Sequence, residues 1–302
     1  MQVFQHPTDR PRTGSVVAIG SFDGLHLGHQ ALIAALTDSS RSMSVPSVVF
    51  TFDQPTRVLL EGSKYLYTLP EKLEILRGLN VGEVIAVPFT KAFSERSKRQ
   101  FLEDIAVLQP LQILVGDDFR FGYGRGGGIA DLETLCPVTA LPMTALDGVP
   151  VKASAIRALL EGGDVTAARA LLGRAFSANG VVVRGQQLGR TIGFPTANIA
   201  VPDGKLLPKG VYAVRLEVGG QRLRGMANIG TRPTVSGMTE SFEVNVFDFS
   251  GDLYGFETSL TFEAFIRAEQ KFSGLPALIA QLERDRVTAT ALLNEHQGSS
   301  ST

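Results

Sequence analysis

Val16-Val17-Ala18-Ile19-Gly20-Ser21-Phe22-Asp23-Gly24-Leu25-His26-Leu27-Gly28-His29 is the stretch that decides how the first half folds. Four apolar residues, three of them β-branched, read as a buried strand. A glycine-bounded turn follows, and from Leu27 to Leu36 apolar residues recur at three- and four-residue spacing, the period of a helix. His26 and His29 are three apart and share one helical face. In the first turn they join backbone N–H groups and a dipole that already attract anions, and imidazoles there can donate to phosphate oxygens. Gly28 removes a side chain where a nucleotide must approach the backbone. That is the equipment of nucleotidyl transfer, which must stabilise a pentavalent α-phosphate and a departing pyrophosphate. The bland alternative is that the histidines only cap a helix. A metal site is less well supported, since no third ligand stands at helical spacing.

The same alternation continues outward. Val48–Phe52, Val84–Val87 and Ile113–Val115 read as further buried strands, with helical patterns at Glu71–Leu79 and at Ser97–Leu108, where Ser97 suits an N-cap. Strands alternating with helices predict a parallel sheet covered on both faces. Two short helices, Ser154–Leu160 and Val165–Leu172, form a junction; Asp164 is placed to cap the second and Gly173 to stop it. Beyond it, Gly180–Arg184, Val211–Val218, Arg222–Ile229, Phe242–Phe249 and Thr258–Phe265 read as strands, with Gly219-Gly220 as a hairpin turn. Regularly spaced short strands predict a small β-barrel or sandwich. A closing helix carries Leu275, Leu278, Ile279, Leu282, Val287 and Leu292 at helical spacing, and the small polar tail Gly298–Thr302 is expected to be disordered.

Composition agrees with two domains in 302 residues. Twenty-nine basic and 30 acidic residues give a formal net charge of −1, without the broad basic field of a non-specific nucleic-acid binder. A hydrophobic share of 44% is enough for ordinary cores and argues against a disordered chain. The single cysteine, Cys136, excludes an intrachain disulfide. No signal peptide and no apolar run of membrane-spanning length is evident, so a cytoplasmic protein with neither nucleic-acid nor membrane partner is expected. The sequence leaves the oligomeric state open.

Other stretches carry chemistry. Val115–Gly122 stands at the end of a strand, where ligands of open α/β sheets bind, so Asp118 and Phe119 could meet a base or flavin ring. Gly122–Gly128, with Arg125, is expected to be a mobile loop. In Lys152–Arg157, Ser154 would cap a helix and Arg157 would add a fixed cation for a triphosphate. Gly189–Asn198 has an unusual backbone path set by Gly189, Gly193 and Pro195. Thr196 and Asn198 are two apart, so an extended segment turns both to one side, and their oxygens are hard ligands suited to Mg²⁺ with phosphates. Asn228–Thr234 reads as another rigid loop. Glu243 shares a strand face with Asn245 and Phe247; a carboxylate at a barrel interior or mouth needs a partner or a task, and accepting the proton of a hydroxyl that attacks ATP would be one. Asp248–Gly255 reads as a hairpin turn. Each of these stretches also has an ordinary structural reading.

Taken together, these stretches resemble the prokaryotic bifunctional riboflavin kinase/FMN adenylyltransferase (FAD synthetase) family over nearly the whole chain. The matches are Phe22–Gly24 with His26–His29, Val115–Gly122 and Ser154–Arg157 in the first half. In the second they are Gly193–Asn198, Lys209–Tyr212, Asn228–Thr234, Glu243, Asp248–Gly255 and Phe265–Phe272. The resemblance implies a Rossmann-like nucleotidyltransferase domain over 1–173 and a six-stranded β-barrel flavokinase domain with a terminal helix over 174–302. It implies that Glu243 is the general base on riboflavin, that Thr196 and Asn198 hold Mg²⁺–ATP, and that His26 and His29 contact ATP phosphates with help from Ser154 and Arg157. Gly20, Phe22, Asp23, Gly28, Asp118 and Phe119 complete the binding set of the first half, and Gly193, Pro195 and Arg267 that of the second. The implied small molecules are riboflavin, FMN, FAD and ATP.

The chain departs from that pattern in places. Gln54-Pro55-Thr56 replaces a Pro-His-Pro run, Ala153-Ser154 has one hydroxyl of a usual pair, Ala155 replaces a basic residue, and Asn245 replaces a histidine. A charge-assisted donor is worth about 1.5–3 kcal/mol, so adenylylation could be weakened by about one to two orders of magnitude. Two alternatives stay open at this stage: a riboflavin kinase whose first half has lost or weakened its activity, and a flavin-binding regulator without turnover. An aminoacyl-tRNA synthetase, which shares the H-x-G-H element, fits poorly because no basic RNA-binding face is evident.

Overall fold

The computed structural model describes residues 1–185, 188–234 and 237–298, so the expectation for the tail beyond Gly298 lies outside the described residues. The chain divides into two compact units, Met1–Ala153 and Ser154–Thr302.

In the first unit, β1 (Gln2–Phe4), β2 (Ser15–Ile19), β3 (Ser47–Phe52), β4 (Glu83–Val87), β5 (Pro110–Gly116) and β6 (Val138–Leu141) form one sheet in the order β1-β4-β3-β2-β5-β6. Every pairing is parallel. Alternation explains why β2 and β3 are buried on both faces: Val17, Ile19, Val48, Phe50 and Phe52 point into one core, while Val16, Ala18 and Val49 point into the other. The helices are α1 (Leu27–Met43), α2 (Thr56–Glu61), α3 (Leu69–Gly78), α4 (Lys91–Ser94), α5 (Lys98–Ala106) and α6 (Ile129–Leu132). Ser97 caps α5, accepting from Gln100 N at 3.3 Å. Strand order reverses between β2 and β5, and in such sheets that switch point opens the ligand crevice. A small hairpin, β7 (Ala145–Leu146) and β8 (Val149–Pro150), closes on an Asp147-Gly148 turn with both φ values positive.

In the second unit, α7 (Ala153–Glu161) and α8 (Val165–Leu172) precede β9 (Ser177–Val183), α9 (Leu188–Thr191), β10 (Ala197–Ala200), β11 (Gly210–Val218), β12 (Gln221–Thr234), β13 (Gly237–Val246), β14 (Glu257–Arg267) and α10 (Leu275–Gly298). Asp164 caps α8 by accepting from Ala167 N at 2.8 Å, and Gly173 ends it in the left-handed region. The six strands form a closed antiparallel barrel ordered β10-β13-β12-β11-β14-β9. Division by sequence pattern at 173/174 and division by compactness differ only over α7 and α8. These helices go with the barrel because α8 packs on β14, where Arg169 donates to Glu263 at 3.1 Å.

Several local expectations change. Asp248–Gly255 is not a hairpin: β13 pairs with β12 and β10, and β14 with β11 and β9, so the segment crosses between strands that are not neighbours. The order β14-β11-β12-β13 is a Greek key. Asn228–Thr234 is not a loop but the end of β12, its backbone paired with β13. Ser154 lies inside the first turn of α7 rather than at its cap, because the helix already begins at Ala153. Gly122–Gly128 is a loop as expected, closed at its base where Phe121 and Gly127 exchange backbone hydrogen bonds at 3.1 and 2.9 Å. On α10, Val287 is 71% exposed, and Asp285, Ala289 and Leu293 are buried instead. The buried acid is explained by Arg267, whose guanidinium grips both Asp285 oxygens at 2.8–3.0 Å. Among the described residues no helix is long and apolar enough to cross a membrane.

Candidate functional site

The first cluster grows from the end of β2. Phe22, Gly24 and Leu25 all have positive φ, of 48°, 81° and 40°. For the two non-glycine residues that conformation costs on the order of 1–2 kcal/mol each, so the loop must be held by its surroundings. Thr51 Oγ1 donates to Ser21 O at 3.2 Å, Leu66 N to Asp23 Oδ1 at 3.0 Å, and Gln30 Nε2 to Leu25 O at 2.9 Å. Asp23 is thus a buried brace of the loop. Phe22 is also buried, edge-on to the His29 ring with centroids 5.2 Å apart. Gly20 leaves room for that ring: a Cβ there would stand 3.1 Å from Phe22 Cε2.

The loop delivers the two histidines together. His26 is the N-cap of α1, and its Nδ1 accepts from His29 N at 3.4 Å. An accepting Nδ1 leaves the ring proton on Nε2 as a donor. The imidazoles stack with centroids 3.7 Å apart, at a helix N-terminus whose dipole favours anions. A Cβ on Gly28 would stand 3.3 Å from Thr144 Oγ1 and 3.4 Å from the His26 ring, so Thr144 is a further hydroxyl at this helix end. The sequence reading missed it, because nothing local connects a residue after β6 with α1.

Beside it, at the end of β5, Phe119 N bonds Gly116 O at 3.1 Å, leaving Asp118 exposed. Phe119 stacks on Phe121 at 5.8 Å. This turn lies on the same sheet edge as the histidines, since β5 neighbours β2. Ser154 and Arg157 both lie on α7, counted with the second unit.

The second cluster is built on strand register. Asn198 on β10 and Asn228 on β12 both stand opposite Glu243 on β13, so the three form one row across three strands. Thr196, two residues before Asn198, donates from Oγ1 to Glu243 Oε2 at 3.2 Å. The sequence reading put this carboxylate at the barrel interior or mouth. Strand parity puts it on the outer face with Asn245 and Phe247, which packs with α10 residues Ala289 and Leu293, whereas Phe242 and Val244 point inward.

The chain before β10 folds over this face. Phe194 N bonds Gly189 O at 2.8 Å, and Gly193 has φ 81°. A Cβ on Gly189 would stand 2.2 Å from Phe194 O, and one on Gly185 would stand 2.2 Å from Asn198 Nδ2, so neither position has room for a side chain. Asn245, buried, donates from Nδ2 to Pro195 O at 2.7 Å and ties this loop to β13. Arg267 has Nη1 on Ala268 O at 2.9 Å and its guanidinium 5.8 Å from the Phe272 ring. With Asp285 it fixes the segment leading from β14 towards α10.

The FAD synthetase family matches residues 8–158, and the riboflavin kinase family matches residues 172–293. The chain is 39% identical over 290 residues to the bifunctional riboflavin kinase/FMN adenylyltransferase of Escherichia coli (strain K12), covering 92% of this chain and 93% of that protein. The protein of the same description from Haemophilus influenzae is 36% identical, with 96% and 97% covered, and that from Bacillus subtilis is 34% identical, with 94% of each covered. A crystal structure from Streptococcus pneumoniae, described as a macrolide-efflux protein, superposes with a TM-score of 0.86 at 30% identity, covering 95% of this chain and 98% of that one.

Proposed function

The chain belongs to the bifunctional riboflavin kinase/FMN adenylyltransferase family, and from that premise we propose how its residues divide the work. It is an ATP-dependent transferase that phosphorylates riboflavin to FMN and adenylylates FMN to FAD. Residues 1–173 are assigned to adenylyl transfer and 174–302 to the kinase.

At the barrel, Glu243 accepts the proton of the terminal ribityl hydroxyl as its oxygen attacks the γ-phosphorus of ATP, and ADP leaves. The observation that carries this assignment is the Thr196–Glu243 hydrogen bond at 3.2 Å. It spends the Thr196 proton on the carboxylate and turns the hydroxyl lone pairs away from it. With the Asn198 carboxamide oxygen, those lone pairs are a hard-donor set that fits Mg²⁺. A bound Mg²⁺ would neutralise charge on the transferring phosphates. Gly193 and Pro195 shape the loop that presents Thr196, and Arg267 holds the flavin-side segment in place.

In the first unit, a phosphate oxygen of FMN attacks the α-phosphorus of ATP and pyrophosphate leaves. His26 and His29 donate to the phosphate oxygens as charge builds. Gly20, Phe22, Asp23 and Gly28 act by shaping the loop and helix start, and Asp118 and Phe119 meet a ring system. We place the enzyme in the cytoplasm, where its free Cys136 stays a thiol, and neither reaction calls for a nucleic acid or a membrane.

The test is a time course of purified protein with riboflavin and ATP, with flavins separated by chromatography. With Mg²⁺, FMN appears first and FAD follows; with EDTA in its place neither forms, and added Mg²⁺ restores both. FMN formation unchanged in EDTA would overturn the metal assignment. FMN that accumulates without FAD, even when FMN is supplied, would overturn adenylyl transfer by the first unit.

A further inference from the structure

Lys72, on α3, has no solvent exposure. A buried ammonium is tolerated only when its N–H groups find acceptors. Here Nζ donates to Phe52 O at 2.9 Å, Ser21 O at 3.0 Å and Thr51 Oγ1 at 3.4 Å. These acceptors lie at one place in the fold. Ser21 immediately precedes the strained Phe22–Leu25 loop, and Phe52 ends β3 immediately before Asp53-Gln54-Pro55-Thr56, the stretch without the histidine usual in the family. Both carbonyls lie at the carboxyl edge of the parallel sheet, where their partial negative charge would oppose a triphosphate. An apolar side chain of similar volume would fill the space without burying a charge.

We propose that Lys72 is a positioning residue for adenylyl transfer, its ammonium pinning the carbonyl ends of β2 and β3 and so fixing the loop that delivers His26 and His29. This rests on the adenylyl-transfer reading of the first unit. The charged groups acting on Lys72 are Asp23 and Asp53. Burial lowers its pKa from 10.5 to about 8, against the pull of those two carboxylates. Below about pH 8 three N–H groups serve three oxygens. Above it one contact becomes lone pair against lone pair, and the anchor weakens. Stability moves the other way: the unfolded chain keeps this proton up to about pH 10.5, so it binds more protons than the folded chain between about pH 8 and 10.5. In that window the lysine's contribution to stability rises with pH. An anchor for catalysis therefore loses activity just where the fold gains stability.

The experiment is the Lys72→Met variant, assayed separately for FMN and FAD formation, beside a pH profile of the native protein. We expect kcat for FAD formation to fall at least about tenfold, because misplaced groups lose orientation, with FMN formation unchanged. In the native protein, the ratio of the FAD to the FMN rate should fall as pH passes about 8. FAD formation within twofold of native in Lys72→Met would overturn the proposal. Should that variant not fold, a flat rate ratio from pH 7 to 9 in the native protein would overturn it. His29→Ala separates the two levels: if it too leaves FAD formation intact, the site reading fails, and if it alone reduces FAD formation, only the role of Lys72 does.

Discussion

The two clusters reach precise geometry by opposite routes. In the first unit, groups sit on a loop whose backbone adopts unfavourable dihedrals at Phe22 and Leu25, held by a brace at Asp23, hydrogen bonds to Ser21 and Leu25, and a buried lysine. In the barrel, Asn198, Glu243 and Asn228 stand in line because antiparallel register puts them there. A loop site depends on distant support; a strand site inherits its order from the ladder that also holds the fold together. The contrast shows where each half is vulnerable: the first to loss of bracing, the second to loss of individual side chains.

Three substitutions separate the halves further. The largest effect is expected for Glu243→Gln, which keeps the side chain's shape but removes the base. FMN formation should fall by about 10²–10⁴-fold while FAD formation from supplied FMN stays at the native rate. An FMN rate near native would mean that another group takes the proton. His29→Ala should do the reverse, lowering FAD formation by about 10–100-fold through one lost donor to a charged group with FMN formation intact; equal losses in both reactions would erase the contrast between the units. Asn245→Ala is the mildest. It removes the hydrogen bond to Pro195 O, a neutral contact worth about 1 kcal/mol, so FMN formation should drop roughly fivefold. A change confined to FAD formation would put Asn245 in the wrong half.

Much of the first unit could be read from the chain, because β2, β3, β4 and β5 each contain a short apolar run and α1, α3 and α5 between them carry side-chain caps. Its edges could not. β1 is three residues with a polar start, and β6 follows Pro137 with a mixed Val-Thr-Ala-Leu pattern, too short for periodicity to register. In the barrel, five of the six strands were legible; β10, four residues long, was not, nor was the end of β12 beyond Ile229. Their partners were not legible either, and Asp248–Gly255 has turn residues whether it closes a hairpin or crosses to a distant strand. The histidines, Thr196 and Asn198 stood out through their spacing, whereas Glu243 was singled out by the family resemblance. Thr144, Asn228 as a neighbour of Glu243, and Lys72 did not, since a threonine, an asparagine and a lysine are individually unremarkable.

By itself the sequence determined the order of elements, where helices begin and end at Ser97, Asp164 and Gly173, and which motifs each half carries. These follow from sterics, capping and periodicity, which act between residues a few positions apart. Only the tertiary structure decided that β14 lies beside β11, that the Glu243 row faces outward, that Asp285 rather than Val287 is buried, and that the Lys72 ammonium meets the ends of two strands. Those outcomes depend on contacts between segments far apart in the chain, where each buried charge or carbonyl must find a partner that local pattern does not name.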